Sequence, residues 1–315
     1  MTCRVFGRTH WFPTKFSSSK YEINRVATIV INGTLVISTV LLNLIAMLTI
    51  LKSTQLKNKI CYFLILIQSV VDLGVGCIGA PLSVFYMLGT FLGLRDCFTS
   101  FIIFQLSVFP IGFSLVISFI ILFERYIAVL HPYSYPKILT KKRILYFMIC
   151  GFALIFISFA LSFYFIAPIA VMLFLTVPTL IIFAGFVNIK IYLEVRRLRR
   201  SEVKPSLNNI VEHKSKTKLF LREVKYAKSC FLVVACFLIT LLPSSLYPIF
   251  RLRFGPSMIV DAYFSWMRVI TTLNSSVNSV IFFWNKVLLR KEAVKVLKVG
   301  CCRSFSVTRS ETTEY

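Results

Sequence analysis

Acidic side chains are scarce in this chain of 315 residues: 12 Asp and Glu stand against 36 Lys and Arg. Charge of either sign is missing from long stretches. Val26–Leu51, Leu73–Leu94, Cys97–Phe123, Ile144–Ile189, Ser229–Phe250 and Val269–Asn285 contain no Lys, Arg, Asp or Glu. Charged residues make up 15% of the chain, against about 25% in ordinary soluble domains. Histidine is nearly missing too. His10, His131 and His213 are far apart, so no His-based metal set is expected. There is no glycine-rich phosphate loop and no nucleophile paired with a base, so no enzymatic activity is expected. No internal repeat is visible. Most of the 9 Cys lie in apolar runs, where Cys behaves as a small apolar residue. Residues 1–25 lack the apolar core of a signal peptide. The first apolar run is therefore expected to act as its own insertion signal.

What is present is apolar: 57% of the residues are hydrophobic. About 20 apolar residues cross a bilayer as a helix. Ile144–Ile189 is about twice that length, with Pro168 near its middle, and reads as two spans. Asp72 and Arg268 fall inside otherwise apolar segments. Seven spans result, near 27–51, 60–88, 98–126, 143–166, 169–194, 226–250 and 260–284. Helices are expected, because backbone in lipid must satisfy its own hydrogen bonds. The predicted fold is an all-α membrane protein, a seven-transmembrane-helix bundle with a short amphipathic C-terminal helix. Residues 1–26 form an extracellular N-terminus, 27–284 the bundle, 285–300 the amphipathic helix and 301–315 a cytoplasmic tail.

About three quarters of the Lys and Arg fall on one side when the loops alternate, which puts that side in the cytoplasm. The expected location is the plasma membrane, multi-pass, with the N-terminus outside. Arg4, Arg8, Lys15, Lys20 and Arg25 run against this locally; the global count decides. The loop bearing Arg196, Arg197, Arg199 and Arg200 suits anionic headgroups or a plain solvated surface. No nucleic-acid partner is expected.

Polar groups in spans are functional candidates. Asp72 lies near the middle of the second span. Ser114 is eleven residues before Arg125, close to three turns, on the same face and about 16 Å deeper. Asn274 and Asn278 are one turn apart. All four fall at one depth. They make either an oxygen-rich pocket for a sodium ion, with Asp72 as its anionic ligand, or polar glue between helices. At the inner edge, Glu124 and Arg125 end the third span and Glu223 opens the sixth, twenty residues before Pro243. An Arg125–Glu223 bridge would join two spans, and Pro243 would kink one of them.

In these residues the chain resembles the rhodopsin-like family of G-protein-coupled receptors, over roughly 27–302. The resemblance rests on Asn43, Asp72, Ser114, Glu124-Arg125-Tyr126, Pro132, Pro178, Glu223, Phe237, Pro243, Asn274-Ser275 and Asn278, in order and spacing. It implies a heterotrimeric G protein as partner, with arrestin and a receptor kinase as further ones. It implies that Asp72, Ser114, Asn274 and Asn278 hold an allosteric sodium ion. It makes Glu124, Arg125, Tyr126 and Glu223 the G-protein switch, and Pro178 and Pro243 helix kinks. The chain departs from the family pattern at Asn278-Ser279-Val280-Ile281-Phe282, at Leu241 and at Phe186.

The same resemblance places Ser107 where amine receptors carry Asp, and Thr272 where opsins carry Lys. Leu82, Ser100 and Phe104 stand where melanocortin receptors carry acids. Phe85, Phe104, Val108, Ile111, Phe174, Leu241 and Tyr247 are implied to line an apolar pocket for a small-molecule or lipid-like agonist. Arg268 faces it and either binds an acidic group on the ligand, snorkels to headgroups, or pairs with Asp261. The alternative to a receptor is a seven-helix channel or transporter. In the terminal helix, Val287, Leu288, Val294 and Leu297 are expected toward lipid and Lys295 and Lys298 away from it. Cys301 and Cys302 then invite palmitoylation.

Overall fold

The computed structural model describes residues 2–5, 8–11, 18–93, 96–131, 134–164 and 257–298 continuously, and parts of 175–197 and 236–255. The described residues are overwhelmingly helical. Two short strands, β1 (Thr2–Val5) and β2 (Arg8–Trp11), pair antiparallel, and β1 lies against α5. The helices are α1 (Ser19–Lys52), α2 (Thr54–Lys57), α3 (Ile60–Gly74), α4 (Ala80–Leu92), α5 (Cys97–Leu130), α6 (Tyr135–Ile138), α7 (Lys141–Tyr164) and α8 (Met258–Asn285). A π-helical turn, Val75–Gly79, joins α3 to α4. A final helix, α9, covers 287–298.

Four of these helical stretches are long and apolar enough to cross a membrane: Ser19–Lys52, Ile60–Gly89, Phe98–Ala128 and Lys141–Leu161. The outward side of α7 carries Leu145, Phe147, Ile149, Leu154, Phe156 and Ile157 exposed. A contiguous apolar surface of this kind is a membrane exterior. With lipid outside, shape complementarity and buried polar contacts hold helices together. Gly151 illustrates the first: a Cβ there would stand 2.5 Å from Val116 on α5, so α5 and α7 approach at backbone distance.

Helix α1 packs on α3, α4 and, most extensively, α8, while α5 packs on α3, α4 and α7. Contacts from Arg25–Asp261 to Ile50–Phe282 show that α1 and α8 run parallel. Contacts from Phe101–Phe163 to Phe113–Phe152 show that α7 runs antiparallel to α5. The near end, where α1 and α8 begin, is closed by an aromatic cluster of Tyr86, Phe101, Phe264 and Met267. The far end, where Arg125 lies, is closed by Leu64, Ile117, Ile120, Ile127, Ile144 and Met148.

Helix α1 starts at Ser19, earlier than the expected boundary at residue 27. The cause is a buried ion pair. Arg25 Nη1 lies 2.9 Å from Asp261 Oδ2 and donates to Ser265 Oγ at 2.5 Å, and Tyr21 donates to the same carboxylate. Asp261 is thus taken by Arg25, not by Arg268 as one expectation had it. In helix α9, Val287, Val294, Leu297, Lys295 and Lys298 are exposed, Leu288 is half-buried, and Leu289 and Ala293 are buried. Leu289 packs with Ile50, Leu56 and Phe282, fastening α9 to the body. Cys301, Cys302 and the tail lie outside the described residues.

Removing one member of a buried ion pair costs about 3–5 kcal/mol, whereas replacing both by apolar groups costs far less. Asp261→Leu therefore lowers the melting temperature of the detergent-purified protein by more than the double variant Arg25→Leu/Asp261→Leu, as thermal melts will show.

Candidate functional site

The site builds from Asp72, on the last turn of α3 and fully buried. A buried carboxylate must be met by donors. Ser114 of α5 donates to Oδ1 at 2.7 Å, and Asn278 of α8 donates to Oδ2 at 3.3 Å. The expected meeting of these three therefore occurs. A further member was not anticipated. Gln68, one turn before Asp72, donates from Nε2 to Asp72 Oδ2 at 2.9 Å and to Ser114 Oγ at 2.8 Å. The i, i+4 spacing was the available signal.

Asn274 does not reach the carboxylate; its Oδ1 accepts from Thr240 Oγ1 at 2.9 Å. Asn43 ties α1 to the same level of α8. It donates to Ser275 O at 3.2 Å and accepts from Ser279 Oγ at 2.7 Å. Thr39 and Ser276 hydroxyls meet at 2.6 Å nearby. One layer of side-chain hydrogen bonds thus joins α1, α3, α5 and α8.

The expected sodium ion does not fit this arrangement. A cation takes oxygen lone pairs, but the groups turned on Asp72 are the amides of Gln68 and Asn278 and the hydroxyl hydrogens of Ser114 and Ser275. Each presents a positive end.

At the far end Arg125 donates from both Nε and Nη2 to the carboxylate of Glu124. Glu124 is buried and also accepts from Tyr135 Oη of α6 at 2.6 Å. Burial, then the neighbouring Glu124 carboxylate, push the Tyr135 phenol above its usual range. The phenol therefore keeps its proton and its bond below its ordinary pKa of about 10, and loses them only in stronger alkali. Tyr126 packs its ring toward Phe123, Phe183 and Phe186. Glu223, the expected partner of Arg125, lies outside the described residues.

Toward the near end, Arg268 is 4% exposed and donates to Ser83 Oγ of α4. It does not snorkel. Among the described residues no carboxylate reaches it, since Asp261 is engaged by Arg25. Thr272 donates to Arg268 O at 3.1 Å and Ser107 to Phe104 O at 2.7 Å. Phe104 and Tyr247 pack around Phe264 with Tyr86. Phe85 takes no part and is 59% exposed. Ser83 and Tyr86, not Leu82 and Phe85, occupy the positions expected to face inward. The π turn explains the slip. The Ala80 N–H bonds to Val75 O, five residues back, and one extra residue advances the following helix by about 100°.

Val108 and Ile111 lie elsewhere than expected. They border a cavity of about 750 Å³ between α5, α7 and Leu175, Thr179 and Phe183. Phe174 and Leu241 lie outside the described residues. Pro178 is helical, and the Pro243 carbonyl accepts from Tyr263 Oη at 2.6 Å.

Tyr135→Phe deletes a hydrogen bond to a buried carboxylate. It should lower stability at pH 7 by about 1.5–3 kcal/mol, read as a drop in melting temperature. Comparison with known proteins finds no family model that matches the chain and no curated protein similar to it.

Proposed function

We propose that this chain is a divergent rhodopsin-like G-protein-coupled receptor, with seven spans, an extracellular N-terminus and a cytoplasmic C-terminus at the plasma membrane. It takes a small acidic, lipid-like agonist from the extracellular half and activates a heterotrimeric G protein. The observation that carries the reading is the mid-depth layer. Asn43, Asp72, Ser114 and Asn278 come from four separate helices, and they converge on direct hydrogen bonds and shared neighbours at one level.

The helix directions support the count of seven. Helix α7 runs toward the end at which α8 begins, so residues 165–257 leave from and return to one end. That requires an even number of crossings, and the stretch contains the apolar helix Ile181–Lys190.

The ligand class follows from Arg268. A buried guanidinium whose described partner is one hydroxyl is costly without an anion. Above it lie Tyr86, Phe104 and Tyr247 around Phe264. A carboxylate or phosphate on an apolar body satisfies both features. In the resting form Arg125 is held by Glu124, with Glu223 as the proposed tie to the sixth span. Agonist favours the form with that tie open, which needs a differential affinity of about 5 kcal/mol.

The test is a ligand screen, with acidic and neutral members matched in size, in cells carrying a promiscuous G-protein reporter. Acidic agonists should signal, and Arg268→Ala should weaken them by at least about tenfold, the loss of one charged hydrogen bond, with little effect on neutral ones. Glu223→Ala should raise basal signalling at equal surface expression. An agonist-independent ion current under voltage clamp, with no nucleotide-sensitive signal, would overturn the receptor reading in favour of a channel.

A further inference from the structure

We propose that Gln68 is the built-in counter-group of Asp72, standing where a cation would stand, and that it makes this polar centre indifferent to sodium. The side chain is fully buried, one turn from Asp72 on α3. Both hydrogens of its amide are used, one on Asp72 Oδ2 and one on Ser114 Oγ. Ser114 spends its single hydroxyl hydrogen on Asp72 Oδ1. The three residues therefore close a ring in which every hydrogen points toward the carboxylate, directly or through the serine. Asn278 adds another N–H on Oδ2.

This ring competes with a cation for the same lone pairs. An ion at the centre would need Ser114 Oγ, already accepting from Gln68, and Asp72 Oδ2, already accepting from two amides. Gln68 Oε1 is buried and has no hydrogen-bond partner. The two acceptors facing the amide nitrogen fix its sense. Rotating the amide would set an oxygen against a carboxylate oxygen and remove two hydrogen bonds together. The ring thus tolerates one unsatisfied acceptor in order to keep N–H toward the buried anion.

The inference concerns ion selectivity alone and stands apart from the receptor reading, because it is tested without ligand or G protein. Thermal melts of the full-length, detergent-purified chain are recorded in sodium chloride and in N-methyl-D-glucamine chloride at equal ionic strength. The wild-type chain should melt within about 1 °C in the two salts. Gln68→Ala removes the resident donor and leaves Asp72, Ser114 and Asn278 around an open space. It should gain a sodium-specific rise of at least about 3 °C. Adding Asp72→Asn to Gln68→Ala should abolish that rise. A sodium-specific rise in the wild-type chain that Asp72→Asn removes would overturn the proposal, and this comparison decides even if Gln68→Ala does not fold. A folded Gln68→Ala with no sodium response would overturn it as well.

Discussion

A carboxylate withdrawn from water has to be met by donors, and the middle of this molecule is arranged around that demand. Asp72 draws two hydroxyls and two amides from three helices, and Asn43 extends the same layer to a fourth. In lipid the helices gain little by burying apolar side chains against one another. A shared polar layer therefore fixes their rotation more strictly than their greasy faces can. Each donor that misses its acceptor leaves a polar group stranded at a cost of about 1–3 kcal/mol. The register of α1, α3, α5 and α8 is set by this layer, and the ends are filled around it.

Charge is handled differently at the two ends. At the near end Arg25 and Asp261 neutralise each other across α1 and α8, with Tyr21 donating to the carboxylate and Ser265 accepting from Arg25. At the far end Arg125 is folded onto Glu124 of its own helix, and Tyr135 shares that carboxylate. Arg268 breaks the pattern: it too is buried, yet it donates to the Ser83 hydroxyl, with the Tyr86 phenol nearby, rather than to a carboxylate. Arg268 meets a hydroxyl in place of a carboxylate, and it faces the region proposed for ligand.

Much of this was legible beforehand, for a definite reason. Depth along a helix is simple arithmetic on a rise of about 1.5 Å per residue, so Asp72, Ser114 and Asn278 could be brought to one level from spacing alone. Polar neighbours were harder to weigh. Gln68 carries no charge and sits in an apolar run, so sequence alone does not mark it as a partner of Asp72. Asn274 answers Thr240 instead of the carboxylate, because depth says nothing about azimuth. The early start of α1 was hidden for a similar reason. Arg25 reads as a loop cation, since a sequence cannot show that an acid 236 residues away will pair with it in the interior.

The π turn at Val75–Gly79 carries a broader lesson about how this chain's interior can vary. Downstream of it, every side chain on α4 is indexed one position off from an unbroken helix, which is why a serine meets Arg268 and a tyrosine joins the aromatic cluster. Tightening that turn into α-helix at unchanged length would swing Leu82 and Phe85 inward together and turn Ser83 and Tyr86 away. A change of winding, with no side chain altered, would re-letter one whole wall of the chamber.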